Sequence, residues 1–106
     1  MEKNEILVIY GNSPFDMAMN IAEAANLAEL IGDRKKRIGL KTNLVVSRPA
    51  REGATTHPEI AAALVSYLKK NGFNNIVIIE GAWAGDSTAK AFTACGYRAI
   101  EKNEGI

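Results

Sequence analysis

Hydrophobic residues gather in three short runs that are rich in β-branched side chains, at residues 6–10, 38–46 and 75–80. Continuous apolar runs of this length are typical of buried strands in a parallel sheet. The polar residues Lys41 and Asn43 interrupt the second run, and we expect them to mark the C-terminal exit of its strand. The pattern therefore predicts three strands.

Helical spacing of apolar residues follows each run. Ser13 is the predicted N-cap of a first helix that continues to Gly32. Thr55 or Thr56 caps a second helix, and Thr56 with Glu59 matches the capping-box pattern. A third, short helix covers residues 88–95, and residues 98–103 are expected to add one more helical turn.

The order of predicted elements is β-α-β-α-β-α, which is typical of a parallel sheet covered by helices. We therefore expect a three-layer α/β fold with a small parallel sheet of about three strands, built as a single domain over residues 1–106. A sheet this small leaves its edges open. The chain is accordingly expected to be a fragment of a longer protein, or a subunit that self-associates through an exposed sheet edge.

Charge and composition exclude several classes of partner. Thirteen basic and twelve acidic residues leave a formal charge of +1, which gives no reason to expect nucleic acid or a membrane surface as a partner. The basic cluster at residues 34–37 is interpreted as cations at a helix C-terminus rather than a phosphate site. The apolar run at residues 6–10 is too short for a signal peptide or a membrane span, so a cytoplasmic location is expected.

Cysteine usage bears on cofactors. Cys95 is the single cysteine, so the chain has no Cys-x-x-Cys pair for structural zinc or an iron–sulfur cluster. Cys95 falls in an alanine-rich helical stretch, which favours a buried and inert thiol over a nucleophile. No cofactor and no metal site is predicted within this chain.

A candidate site lies where the strands end, because parallel strands place their C-termini at one edge of the sheet. The predicted ligand-binding residues are Lys41, Asn43, Thr55, Thr56, Asp86 and Ser87. Lys41 and Asn43 could hold a small anionic ligand, helped by free amides at the start of the second helix. In the alternative interpretation, Lys41 pairs with Glu80 across adjacent strand ends and Asn43 braces the long loop.

Glu80 and His57 are the candidate catalytic residues. Glu80 closes an apolar strand, where desolvation would raise its pKa as a general base requires. With Asp86 it could also hold Mg²⁺, although the position of Asp86 favours a role as the N-cap of the next helix. His57 could act as a base or ligand, or be a surface residue in the first helical turn. The following turn lacks the lysine of a P-loop, which excludes that type of ATPase.

The chain resembles the DUF362 family, an uncharacterised group of which some members carry ferredoxin-like iron–sulfur segments. The resemblance rests on four landmarks in order, namely Ile38-Gly39-Leu40-Lys41-Thr42-Asn43-Leu44-Val45, Gly53-Ala54-Thr55-Thr56-His57-Pro58-Glu59-Ile60, Ile78-Ile79-Glu80-Gly81, and Ala91-Phe92 with Gly96-Tyr97. Thr42 stands where the family usually has proline. The resemblance implies that this chain corresponds to the N-terminal part of longer proteins, with any iron–sulfur cluster outside it.

Two functional hypotheses remain at this point. The chain is either a non-catalytic or incomplete module that docks against the remainder of a larger redox-associated protein, or the small-anion-binding domain of an enzyme. In the enzyme hypothesis Lys41 and Asn43 bind the anion, while Glu80 or His57 transfers a proton. The site proposal requires Lys41, Thr56, Glu80 and Ser87 to lie along one edge of a parallel sheet.

Overall fold

The computed structural model describes residues 1–81 and 87–106. These residues form a mixed α/β fold with a two-stranded sheet and five α-helices. The elements in chain order are α1 (Pro14–Ala24), α2 (Leu27–Ile31), β1 (Ile38–Lys41), a 3-10 turn (Ala50–Glu52), α3 (Pro58–Lys70), β2 (Ile76–Ile79), α4 (Thr88–Ala94) and α5 (Tyr97–Glu104). No helix among them combines the length and the apolar character needed to cross a membrane.

The sheet is parallel, as predicted. Ile38 of β1 stands opposite Ile76 of β2, and the pairing continues to Lys41 opposite Ile79. The Ile38 N–H donates to the Asn75 carbonyl at 2.8 Å, which extends the ladder by one residue. Helix α3 connects the two strands and is the crossover that a parallel pair requires. The predicted exit of the strand at Lys41 is confirmed.

The predicted first strand is not confirmed. Residues 6–10 belong to no strand, and the exposed fractions of Ile6, Val8 and Tyr10 are 86%, 62% and 91%. Ile9 instead lines a cleft with Met17 of α1 and other residues of α1 and α3. β-propensity alone cannot form a strand, because a strand is stabilised only when its backbone N–H and C=O groups hydrogen-bond to a neighbouring strand. The described residues form a sheet of two strands where about three were predicted.

The predicted first helix is divided in two. Ser13 caps α1 as predicted, with its hydroxyl accepting the Asp16 N–H at 3.2 Å. The helix ends at Ala24 because Asn26 adopts a left-handed conformation with φ of 52°, which asparagine tolerates better than most residues. The Tyr67 hydroxyl of α3 accepts the N–H of Ala28, the second residue of α2, at 3.0 Å. The break thus allows α2 to bond directly to α3.

The basic cluster at residues 34–37 acts at a helix C-terminus, as interpreted from the sequence. The Arg34 guanidinium donates to the carbonyls of Ala28 and Gly32, and Lys36 donates to the Ile31 carbonyl at 3.1 Å. Arg34 also lies over the Phe73 ring, 4.9 Å from its centroid. These contacts satisfy carbonyls that the end of α2 would otherwise leave without partners.

The hydrophobic core forms around α3. Its buried residues include Ala61, Ala63, Val65, Tyr67 and Leu68. Helix α1 packs against α3, and α5 packs against both α3 and α4. The core is completed by residues from both strands, from α5 and from the loops, among them Leu44, Phe73, Ile76, Tyr97 and Ile100.

Cys95 is buried at the end of α4, with 3% of its surface exposed. Its Sγ lies 3.1 Å from the Arg48 carbonyl and 3.7 Å from the Val46 carbonyl. The thiol is therefore a weak donor to the loop that follows β1. This burial agrees with the expectation of an inert thiol.

Candidate functional site

Lys41 and Glu80 meet at the C-terminal end of the sheet. Lys41 closes β1, and Glu80 follows directly after β2 on the neighbouring strand. The Lys41 Nζ lies 3.0 Å from the Glu80 Oε1. The Lys41 side chain is 68% exposed, whereas the Glu80 side chain is 7% exposed. The structure therefore contains the ion pair of the alternative interpretation.

Backbone amides complete the environment of the Glu80 carboxylate. The Leu44 N–H donates to Oε2 at 3.0 Å and the Gly81 N–H donates to Oε1 at 2.8 Å. The hydrogen bond from Lys41 lowers the pKa of Glu80, and the two backbone donors lower it further. Desolvation acts in the opposite direction but is outweighed. The expectation that the pKa of Glu80 would be raised is wrong, because Lys41 and two backbone amides donate to the carboxylate and outweigh its desolvation.

Asn43 and Thr56 join the loop to the start of α3. The Asn43 N–H donates to the Thr56 Oγ1 at 2.9 Å, and the Thr56 N–H donates to the Asn43 carbonyl at 2.9 Å. The neighbouring Thr55 hydroxyl donates to the Arg48 carbonyl at 2.9 Å. These bonds hold both ends of the loop that connects β1 to α3. We call the ion pair, the amide bonds of Glu80 and the Asn43–Thr56 pair the strand-end clasp.

The predicted capping box is wrong. Helix α3 begins at Pro58 with His57 as its N-cap, and no side chain caps it by a hydrogen bond. Thr56 lies one residue too early, and its hydroxyl is used by Asn43. Because Pro58 at the first position of α3 lacks an N–H, the helix start has one fewer amide without an intrahelical partner.

His57 lies on the surface near α3. Its side chain is 47% exposed, and its Nδ1 lies 3.8 Å from the Glu59 Oε2. It lines an open groove of about 380 Å³ together with Arg51 and Cys95. Within the described part of the chain, no hydrogen bond or ion pair joins His57 to Glu80. The two candidate catalytic residues are therefore not linked by a direct contact.

Ser87 immediately precedes α4 as its N-cap, and its hydroxyl accepts the Lys90 N–H at 3.4 Å. Asp86, the alternative cap and possible Mg²⁺ ligand, lies outside the described residues. Across residues 1–81 and 87–106, no group of three or more metal-ligating side chains comes together. The parallel sheet on which the site prediction depends is present, and contacts join Lys41 to Glu80 and Asn43 to Thr56.

Two residues next to the strand-end clasp, Tyr97 and Thr42, were not predicted from the sequence to belong to this site. Tyr97 is 2% exposed and donates its hydroxyl to the Thr56 carbonyl at 2.8 Å. Burial raises the pKa of this phenol. The Thr42 hydroxyl is also buried, close to the Tyr97 phenol. Within the described residues it makes no hydrogen bond of normal geometry. The spacing of Tyr97 and Ile100 on one face of α5 was a signal that could have placed Tyr97 in the core.

Comparisons with known proteins give one match. The family model for DUF362, described as a domain of unknown function, matches residues 38–106. This range begins at β1 and includes the whole strand-end clasp. No significant match is found among curated proteins or among solved structures. Since the match covers more than half of the sequence, the chain belongs to the DUF362 family.

Proposed function

We propose that this chain is a non-catalytic docking module, a rigid α/β unit that associates with further polypeptide. The proposal rests mainly on the strand-end clasp. Glu80 pairs with Lys41 and accepts the Leu44 amide, while Asn43 and Thr56 bond to each other. The Glu80 carboxylate, the Lys41 ammonium and the Thr56 hydroxyl are thus used to hold the strand ends and the loop together.

The ionisation of Glu80 also supports a structural role. A general base is most effective when its pKa lies near the working pH. The pKa of Glu80 is instead lowered by its Lys41 partner and the amides that it accepts. A carboxylate in this state is a weak base and a good anchor for amides and an ammonium group. Glu80 therefore serves the proposed module by fixing loop geometry.

Association with a redox protein is the finer part of this proposal, and it is supported by the family resemblance. Iron–sulfur clusters are usually held by four cysteine thiolates. This chain has Cys95 alone, and that thiol is buried against the carbonyls of Val46 and Arg48. In the proposal, any cluster is bound by the partner polypeptide. In the same proposal, the third strand and the complete three-layer fold form only when this chain associates with its partner polypeptide.

A second candidate function is the binding of a small anion by Lys41 and Asn43. The observation that favours it is their exposure, since both residues are exposed while Thr42 and Leu44 are buried. An anion would displace Glu80 from the Lys41 ammonium and accept from the Asn43 side chain. Glu80 or His57 would then be the group that transfers a proton.

An amide NMR titration of the chain distinguishes the two functions. Phosphate, acetate, a nucleotide and Mg²⁺ are added separately, and chemical shifts are followed at Lys41, Asn43, Thr56 and His57. The docking module predicts no saturable shift at these amides. Saturable shifts that disappear in Lys41→Met would overturn it in favour of anion binding. Lys35→Met is the matched control, because it removes an exposed lysine away from the clasp.

A further inference from the structure

A half-open cavity of about 220 Å³ lies beside β2, where that strand meets α4 and α5. Its apolar wall is formed by Val77, Ile78, Phe92 and Ile106. All four residues are half-buried, so apolar surface remains open along this wall. An apolar cavity of about 150 Å³ is large enough to hold benzene. The cavity beside β2 therefore has room for one aromatic or branched aliphatic side chain.

Two opposite charges border the same cavity. Arg98 and Glu101 of α5 both line it, and the Arg98 Nη1 lies 2.9 Å from the Glu101 Oε2. The Arg98 guanidinium also lies over the Phe92 ring, 5.7 Å from its centroid. This cation–π contact holds the positive charge against the apolar wall. The cavity thus combines an apolar interior with one cation and one anion side by side.

The ion pair leaves much of its hydrogen-bonding capacity unused. A guanidinium has five N–H donors, and within the described residues that of Arg98 makes one hydrogen bond, to Glu101. Over the same residues, the Glu101 Oε1 accepts no hydrogen bond. Both side chains are about half exposed, at 51% and 53%. Arg98 can therefore receive a carboxylate, and Glu101 an ammonium group, without loss of the bond between them.

Charge complementarity selects the class of ligand. A simple carboxylate would pair with Arg98 but would also be repelled by Glu101 beside it, and a simple amine would meet the reverse arrangement. A free α-amino acid carries its ammonium and carboxylate groups on one carbon atom, so it can satisfy both residues together. A side chain within a polypeptide has neither charge at its backbone. The pair of charges therefore favours a free amino acid over a peptide segment.

We propose that this cavity binds a free α-amino acid with an aromatic or branched apolar side chain. The side chain packs against Ile78 and Phe92, the carboxylate accepts hydrogen bonds from Arg98, and the ammonium group donates to Glu101. Burial of the side chain supplies affinity, and the two charges supply specificity. Lys41 and Glu80 of the strand-end clasp do not line this cavity. The inference thus goes beyond the docking function and does not depend on it.

Amide NMR of the full chain, titrated separately with L-phenylalanine and L-leucine, tests the site. At least one of them should cause saturable shifts at Phe92, Tyr97, Arg98 and Glu101. L-serine should cause none, because it has both charges but no apolar side chain. N-acetyl-L-phenylalaninamide has the side chain but neither charge, and it mimics a side chain within a polypeptide. It should bind at least about fivefold more weakly than L-phenylalanine, because two partly exposed charge pairs are lost.

Two substitutions assign each charge to its part of the ligand. Arg98→Met should weaken binding of L-phenylalanine at least about threefold but should not weaken binding of L-phenylalaninamide, which lacks the carboxylate. Glu101→Gln should likewise weaken L-phenylalanine but not N-acetyl-L-phenylalanine, which lacks the ammonium group. Both side chains are about half exposed, so these variants should keep the fold. Arg37→Met and Glu52→Gln are the matched controls, because both residues are exposed and neither lines the cavity.

Three results would overturn the proposal. The first is the absence of saturable shifts with both apolar amino acids. The second is binding of N-acetyl-L-phenylalaninamide as tightly as L-phenylalanine, because the cavity would then accept a side chain of a partner polypeptide. The third is an unchanged affinity for L-phenylalanine in Arg98→Met and Glu101→Gln. The anion titration tests Lys41 and Asn43 instead, so failure here is distinct from failure of the docking function.

Discussion

Replacing Glu80 with glutamine tests whether the strand-end clasp stabilises the fold. The carboxylate accepts the Leu44 and Gly81 amides through different oxygens, and it also pairs with Lys41. Glutamine keeps the shape of the side chain but has a single acceptor oxygen. One of the two amides therefore loses its partner, and the remaining hydrogen bond loses its charge.

The expected cost follows from burial. Leu44 is fully buried, so water cannot easily replace the partner of its amide. An unsatisfied buried donor costs about 1–3 kcal/mol, and exchange of a charged for a neutral hydrogen bond costs about 1 kcal/mol. Because glutamine can turn its oxygen toward Leu44, we expect Glu80→Gln to cost about 2 kcal/mol. Lys41→Met should cost less than about 1 kcal/mol, since the Lys41 side chain is 68% exposed.

Urea unfolding followed by circular dichroism measures the difference. With an m-value of about 2 kcal/mol/M, Glu80→Gln should lower the urea midpoint by about 1 M. Glu52→Gln is the matched control, because Glu52 pairs with Arg48 at the surface. This control should change stability by less than about 0.5 kcal/mol. Equal losses in Glu80→Gln and Lys41→Met would refute the reasoning, because the buried amide would then contribute nothing beyond the ion pair.

The pH dependence of stability gives a second readout of the same group. The pKa of Glu80 is lowered from its ordinary value of 4.5, so the unfolded state binds the proton more readily. Its stabilising contribution is complete above pH 4.5 and is lost as the pH falls through the lower folded-state value. The stability difference between wild type and Glu80→Gln should therefore shrink on acidification. A difference that stays constant as the pH is lowered from 4.5 to the onset of acid unfolding would contradict this assignment.

Three further substitutions test contacts elsewhere. Tyr67→Phe should cost about 1–2 kcal/mol in urea unfolding, because the buried Ala28 amide loses its acceptor; a neutral result would contradict this bond. Thr42→Val should be neutral or stabilise by up to about 1 kcal/mol, since it removes a buried hydroxyl that makes no hydrogen bond within the described residues. Arg34→Lys should lower stability by about 1 kcal/mol, because lysine cannot reproduce the guanidinium fork. Lys35→Met should be near neutral, and an equal loss there would refute the role of Arg34.

The sequence predicted those parts of the fold that local pattern determines. Residues Ile76–Ile79 form β2 within the predicted run, and Lys41 ends β1 as expected. Ser13 caps α1 because a hydroxyl at that position satisfies a nearby amide. The apolar run, the strand end and the helix cap each depend on only a few neighbouring residues, so they can be predicted from one sequence.

The failures arise where a distant partner decides the outcome. Residues 6–10 have a strand composition, but pairing depends on an edge that the pattern cannot locate. Thr56 fits a capping box, yet Asn43, thirteen residues away, takes its hydroxyl. Local propensity gives no information about either competing contact.

The contact between Lys41 and Glu80 was predicted, but the ionisation of Glu80 was not. Parallel strand ends correctly indicated that Lys41 and Glu80 would meet. The pKa of Glu80 was misjudged because the Leu44 amide reaches it from a loop whose path the sequence does not define. Burial alone raises a carboxyl pKa, whereas burial among donors lowers it.

The reactivity of the Cys95 thiol can report the motion of the loop that follows β1. Its sulfur lies against the carbonyls of Val46 and Arg48 and the residue is only 3% exposed, so separation of that loop from α4 should speed its reaction with a labelling reagent. The rate of thiol labelling therefore measures how often the loop opens, under native conditions and without an added probe. Comparison of that rate with the rate of global unfolding would show whether the region between β1 and α3 opens independently of the core.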